Sequence, residues 1–500
     1  MENIAFLPIG PEVILLGAAL VVLMVAVTTD LGPRMWGEVA FTGLVLATLL
    51  SWVQWSRVDD IGPQLNYGGL RGSTSMVVTD HFTAFAGIVV FLVAAFGLLA
   101  AWPLVESLGR RGAEFIALVL LSTVGLHTMA MANNLLLLFI GLEAASISLY
   151  VIAGVVREQS NSDEAAMKYF LLGSFASAIF LYGIALTFAA TGSTSIYGGG
   201  IEDFVSSGLF DLVLNGREGV LAAGIALLVV GLGFKVSAAP FHQWAPDVYQ
   251  GAAGGAVGFM AAGVKVAGFA AIARILVGAF PAAADLWAPP LSAVAALSVV
   301  LGTVFAISQT DIKRMLAYSG VAHAGFMLTA LVGARAGVPA MWFYLATYAF
   351  QLLGAFTVTA VVSGSRAGRS SLDEYQGLGM RLPVLAGIMA VLMLSMAGIP
   401  FTAGFVGKVS VFAAAADAGY TWLVVVGLVT AVAGLFFYLR VIVRMYFQQP
   451  VLAEGPGTAT AGPEATVQQR AVLGMAIAVT IAFGLVPWPL LNLVQYALPL

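Results

Sequence analysis

Uncharged apolar runs about twenty residues long recur through this chain from Gly10 to beyond Ala471. A run of that length crosses hydrocarbon as a helix, since a barrel strand needs only about ten residues. A helix also closes its own backbone hydrogen bonds, as a bilayer interior demands. Of the 500 residues 60% are hydrophobic and 9% charged, with mean hydropathy +0.98. Soluble domains carry about 25% charged residues. The expected fold class is therefore an all-α polytopic membrane protein with little mass outside the bilayer.

Hydropathy places spans at 10–29, 36–55, 81–101, 113–132, 134–155, 166–190, 219–250 (broken), 254–280, 288–308, 313–333, 339–363, 383–417 (broken), 421–446 and 471–495. That makes about fourteen. No arginine-rich transit peptide or cleavage site precedes the first span, so it is expected to be retained. The net charge of −4 and the lack of a basic cluster argue against nucleic acid. The absence of cysteine excludes disulfides and cysteine-ligated iron–sulfur clusters from this chain. Four scattered histidines give no support for haem or zinc.

Basic residues predict the orientation. One set of alternating loops carries Arg34, Arg110, Arg111, Arg157, Lys168, Lys313, Arg314, Arg366, Arg369, Arg381, Arg440, Arg444 and Arg470. The other carries Arg57, Arg71, Arg217 and Arg335. The richer set belongs in the cytoplasm, which puts both termini outside. The expected location is the bacterial inner (plasma) membrane. Outer loops fall at 56–80 and 191–218, and the Gly/Pro-rich segment 447–470 reads as a linker before the last span.

Two spans are interrupted. In Gly233-Phe234-Lys235-Val236-Ser237-Ala238-Ala239-Pro240-Phe241-His242-Gln243-Trp244 a lysine, a proline and a histidine follow an uncharged apolar run. Proline removes a donor and clashes with the preceding turn, so the helix breaks there. The second break is Gly398-Ile399-Pro400-Phe401-Thr402-Ala403-Gly404, with Lys408 following. It comes five spans later, an odd number, so a five-span repeat is inverted in the membrane. Broken helices at matching places of inverted halves point to a transport site. The expected organisation is 1–112 as an N-terminal three-helix segment, then repeats at 113–285 and 286–446. Residues 447–500 supply the linker and last helix.

Only five of the 21 basic residues are lysine, yet Lys235, Lys265 and Lys408 all fall inside spans, while arginine keeps mostly to loops. A charge at the bilayer centre costs about 2.5–3.5 kcal/mol on insertion scales. Unlike arginine, a buried lysine can release its proton. The alternative is snorkelling to a headgroup. Glu143, in the fifth span, is the candidate partner for Lys235; a pair of adjustable separation is a proton switch, and a fixed one is packing. His242 and His323 are possible relays, though an intramembrane histidine also serves as hydrogen-bonded core. Asp247 is a possible inner entrance. His127 and His81 are read as structural, and Arg274 as reaching an interface.

Several motifs taken together resemble a known family. They are Gly141-Leu142-Glu143 with Ser148-Leu149-Tyr150, and Glu164-Ala165-Ala166-Met167-Lys168-Tyr169-Phe170-Leu171-Leu172-Gly173. Ala245-Pro246-Asp247-Val248-Tyr249-Gln250-Gly251, Lys265 with Ala267-Gly268-Phe269, Asp311 through Ser319, and Gly398-Ile399-Pro400 with Lys408 complete the set. Over nearly its whole length the chain resembles the antiporter-like membrane subunits of proton-pumping NADH–quinone oxidoreductase, respiratory complex I. The resemblance implies fourteen helices with two inverted five-helix units. It implies proton translocation through Glu143, Lys235, Lys265 and Lys408. It also implies NADH, FMN, iron–sulfur clusters and quinone in partner subunits, with no cofactor or metal in this chain. The partners implied are homologous antiporter-like subunits, small membrane subunits and the lipid bilayer. Two places depart from the family pattern: Gly251–Gly255 replaces a proline-containing turn, and Val264 stands where proline often precedes the lysine. The alternatives are a subunit of a multisubunit cation/proton antiporter, or a non-pumping membrane scaffold.

Overall fold

A computed structural model describes residues 6–29, 32–68, 75–157, 159–206, 216–363, 368, 370–449 and 464–500. Most of the expected linker, and Arg71, Arg366 and Arg369 of the loop tally, lie outside the described residues.

Helices α1 (Gly10–Thr28), α2 (Pro33–Ile61) and α3 (His81–Ala100) come first. Between the last two, strands β1 (Gln64–Gly68) and β2 (Ser75–Thr79) pair antiparallel, Gln64 opposite Thr79. A short α4 (Trp102–Ser107) leads to α5 (Arg111–Met131), α6 (Leu135–Ala153) and α7 (Ser160–Thr191). The first broken span is α8 (Glu218–Lys235) with α9 (Trp244–Gly251). Then follow α10 (Gly254–Ala273) with a π-helical extension to Ala279, α11 (Ala284–Ser308), α12 (Ile312–Leu331) and α13 (Val338–Ser363). After α14 (Leu378–Arg381), the second broken span is α15 (Pro383–Ala397) with α16 (Ala403–Asp417). The chain ends with α17 (Thr421–Phe447), α18 (Val467–Leu485) and α19 (Trp488–Tyr496).

Among the described residues twelve helices are long and apolar enough to cross a membrane, so this is a multi-pass membrane protein. The two other expected spans correspond to the 20-residue α12 and the pair α15–α16, whose first half is a shorter apolar helix. One expected span differs. The run 471–495 divides, because α18 ends at Leu485 and α19 restarts beyond Pro487 with Pro489 in its first turn. Proline pushes the residue before it out of the helical region and starts a helix well.

Two helices have no lipid-facing side: α10 with its extension is buried throughout, and α13 nearly so. The sequence of α10 explains this, being rich in Gly and Ala that allow close helix approach. It packs against α3, α5 and α13. A Cβ on Gly97 of α3 would sit 2.7 Å from the Phe259 Cβ, so glycine is required there. At about 1.5 Å per residue the twenty residues of α10 span hydrocarbon, and Lys265, the twelfth of them, falls near its middle.

Arg274 does not reach an interface. It is fully buried and grips Asp80 through Nη1 at 2.5 Å and Nη2 at 3.0 Å. Its guanidinium also donates to Thr83 Oγ1 and the Ala130 carbonyl and lies over the Phe82 ring. Asp80 meanwhile caps α3 by accepting from the Thr83 amide, and it receives the Leu500 amide at 3.2 Å. This pair ties α3, α5, α10 and the C-terminus together. We expect Arg274→Leu to cost about 3–5 kcal/mol by stranding the Asp80 charge. Asp80→Asn, which keeps the cap, is expected to rescue part of that loss in Arg274→Leu. Thermal unfolding of the purified assembly in detergent measures both.

Candidate functional site

The first break is built from satisfied backbone. α8 ends at Lys235, and residues 236–243 leave the helix around a cis Ala239–Pro240 bond. The Ala238 amide turns back to the Gly233 carbonyl at 2.8 Å, and the Ala239 amide donates to Ser298 Oγ of α11 at 2.9 Å. Trp244 Nε1 donates to the Phe234 carbonyl, and its ring stacks on Tyr169 of α7 at 4.5 Å. Bulky aromatics thus hold the two halves in place. Gly268 of α10 faces the break, where a Cβ would come 2.6 Å from Val236 Cγ1.

Three buried ammonium groups lie beside the two breaks, along a seam between them. Lys235 is 2% exposed, and its Nζ donates to Ser146 Oγ of α6 at 2.6 Å, with the Tyr169 ring 5.9 Å away. The Ser146 hydroxyl in turn donates to the Leu142 carbonyl. Lys265 Nζ donates to the Val236 carbonyl at 2.7 Å and to the Gly320 carbonyl of α12 at 3.0 Å. Lys408 of α16 donates to the Met396 and Ala397 carbonyls at 2.9 and 2.8 Å, with the Phe326 ring at 5.0 Å. These last carbonyls end α15, where Gly398 turns the chain at φ 90°. A helix end leaves carbonyls without intrahelical partners, and a cation there also suits the helix dipole.

Glu143 is not in direct contact with Lys235. It sits one turn before Ser146 on α6, half-buried, with Oε1 buried and lacking a hydrogen-bond partner. Ser146 therefore stands where the sequence reading expected the carboxylate. Its spacing of three from Glu143 places it on the same helix face, and that was the available signal.

His323 of α12 sits one turn after Gly320, whose carbonyl takes Lys265, and one turn before Phe326, whose ring faces Lys408. Its Nδ1 is 2.7 Å from Tyr344 OH and its Nε2 2.9 Å from Tyr438 OH, while the Tyr348 ring stacks at 4.2 Å. Tyr438 OH also meets Ser319 Oγ at 2.5 Å, one residue before Gly320. Together these groups form a file in separate hydrogen-bonded segments: Ser146 with Lys235, Lys265 on the Val236 and Gly320 carbonyls, Ser319, Tyr438, His323 and Tyr344 in series, and Lys408 on the end of α15. Hydroxyls and imidazole both donate and accept, so such a file can pass protons. Sequence reasoning missed Ser319, Tyr344 and Tyr438, which come from three different helices.

His242 and Asp247 stand apart from this file. His242 lies in the break near the rings of Phe305 and Tyr318, with Nδ1 buried and unpartnered. Asp247 of α9 bridges Lys168 at 2.8 Å and Arg314 at 2.5 Å. It lines a polar cleft of about 560 Å³ with Glu164, Gln250 and Asp311. Lys313, assigned to a loop by sequence, is buried in the first turn of α12. There it donates to the Gln250, Ala252 and Gly368 carbonyls. Among the described residues no group of three or more His, Asp and Glu side chains is clustered as a metal site.

Residues 132–434 match the family model described as NADH:quinone oxidoreductase/Mrp antiporter, TM. The chain is 43% identical over 398 residues to NADH-quinone oxidoreductase subunit N of Mycobacterium tuberculosis, covering 78% of this chain and 72% of that one. It is 36% identical over 497 residues to the subunit N of Chloroflexus aggregans, covering 98% and 96%. A chain of respiratory complex I from Thermus thermophilus superposes with TM-score 0.79 at 33% identity, covering 96% of this chain and 98% of its own. The Mrp complex of Dietzia matches in fold, with TM-score 0.85 at 21% identity and coverage of 99% and 97%. The chain belongs to the NADH:quinone oxidoreductase/Mrp antiporter family of membrane subunits, with N subunits of NADH-quinone oxidoreductase among its relatives.

Proposed function

We propose that this chain is an antiporter-like, proton-translocating subunit of an NADH–quinone oxidoreductase. Electron transfer from NADH to quinone, through FMN and iron–sulfur clusters, takes place in partner subunits. The assembly also contains homologous antiporter-like subunits and small membrane subunits. The observation that carries this reading is the file of buried titratable groups between the two broken helices. Lipid-facing lysines would stretch toward headgroups; these three turn inward onto carbonyls and a hydroxyl.

In this reading fourteen spans contain two inverted five-helix repeats, 113–285 and 286–446, each with its broken helix. The loop charges favour a cytoplasmic Asp247 cleft and termini on the outer side of a bacterial inner membrane. A proton enters beside the first break, with Asp247 holding the mouth and His242 a possible relay. It resides on Lys265 and Lys235, passes by Ser319, Tyr438 and His323 toward Lys408, and leaves outside. Glu143, one helical turn from Ser146, sets the proton affinity of Lys235, whose ammonium rests on the Ser146 hydroxyl. Moving one charge against 100 mV needs about 2.3 kcal/mol, which the redox partners supply.

A second reading is a structural one: Lys265 and Lys408 serve as caps for helix ends in a scaffold. Their carbonyl hydrogen bonds favour it. Proton-to-electron ratios of the reconstituted assembly separate the two. Lys235→Ala and Lys408→Ala are expected to lower protons moved per NADH while the assembly still forms. Undiminished pumping in both would leave the structural reading. We further expect Ser146→Ala to lower pumping more than NADH oxidation, because it removes a charged hydrogen bond of about 1.5–3 kcal/mol. Ser146→Thr, which keeps the hydroxyl, is expected to retain the wild-type ratio.

A further inference from the structure

The end of the molecule that holds Arg274 also holds a second buried pair, away from the file described above. Glu12 lies in the first turn of α1, and its Oε1 contacts His127 Nδ1 near the end of α5. Ser51 and Gln54 of α2 are buried there too. With Nδ1 engaged, His127 Nε2 has no partner, and neither have Glu12 Oε2, Ser51 Oγ and Gln54 Oε1. Buried polar atoms are nearly always paired, so four unpaired ones in one region need a reason. Gly87 of α3 supplies part of it. A Cβ there would lie 2.7 Å from both His127 Nε2 and Ser51 Oγ, so no side chain separates them.

A surface cleft lies one helical turn from Ser51. Gln54, one turn from Ser51, donates to the Leu7 and Pro8 carbonyls at 2.7 and 3.3 Å. It lines a cleft of about 180 Å³ with Leu7, Pro8, Arg57 and Gln64. Of the charges at this end, His81 pairs with Asp59 at 2.8 Å and Arg274 with Asp80. Arg57 stands on the cleft wall.

We propose that Glu12 and His127 form a proton-binding site that exchanges with the aqueous phase beside the chain termini, through the cleft at Gln54. The resting pair is the Glu12 carboxylate accepting from His127 Nδ1–H, which leaves the Nε2 lone pair open. A hydronium ion gives its proton to that lone pair and departs as water. The imidazolium formed is neutralised by the adjacent carboxylate, which takes the Nδ1 proton in the alternative form of the same state. Discharge reverses these steps. The site goes beyond the pumping reading and stands without it.

Infrared difference spectroscopy of the intact assembly after a pH jump, without NADH, tests it. Wild type is expected to show a carboxylic acid band that is lost in Glu12→Gln and shifted in His127→Gln. Gly87→Ala keeps both titratable groups but puts a methyl between Nε2 and Ser51, and is expected to slow the band's response. An unchanged spectrum in Glu12→Gln, or an unchanged response in Gly87→Ala, overturns the proposal. Because the measurement is made at rest, its failure leaves the pumping ratios of the lysine variants untouched.

Discussion

A helix that stops inside a bilayer exposes carbonyls that no water is at hand to satisfy, and the rest of this structure follows from how those carbonyls are met. At the first break the Val236 carbonyl is taken by Lys265 from α10. At the second, the Met396 and Ala397 carbonyls are taken by Lys408 from α16. In both cases a buried ammonium and a helix end solve each other's problem. The cation gains acceptors and a favourable dipole, while the carbonyls gain donors. The arrangement is similar in principle but not in register, since Lys265 comes from the next full helix and Lys408 from the second half of the broken one.

This pairing has a functional side. A group that both caps a helix end and titrates is coupled to the conformation of that end. If the ammonium loses its proton, the carbonyls keep a donor but lose the charge that favoured them. Arginine would hold the same contacts without that freedom, because it does not release its proton in proteins. The one buried arginine in a described span, Arg274, performs the opposite service. It is locked in a bidentate pair with Asp80 and joins helices distant in sequence. Lysine lies along the seam, and the buried arginine is held in a fixed ion pair.

The central helix makes the seam possible. α10 carries Lys265 through the middle of the molecule and touches no lipid. Its glycines and alanines let α3 and the first break approach closely, as Gly97 against Phe259 and Gly268 against Val236 show. A bulkier helix would hold the break away from the Lys265 ammonium. The departures from the family pattern fall at the start of this helix and within it. There Gly254 and Gly255 open α10, and Gly255 lies close to the backbone of Ala101.

Much of this was legible in the chain itself. Runs of apolar residues gave nearly every helix to within a few positions, because a span must match hydrocarbon thickness whatever it packs against. Proline and glycine marked both breaks, and lysines in apolar surroundings stood out because their cost is local. The partners were not legible. Lys235 meets Ser146 across 89 residues, His127 meets Glu12 across 115, and Arg274 meets Asp80 across 194. Hydropathy carries no signal for such meetings, since a lone serine or tyrosine in an apolar helix looks the same whether it faces a lysine or packs in the core. The sequence determined which groups lie at membrane depth. Only the packing of helices decided that a serine, not Glu143, touches Lys235, because helix rotation and close approach at glycines are set by all neighbours at once.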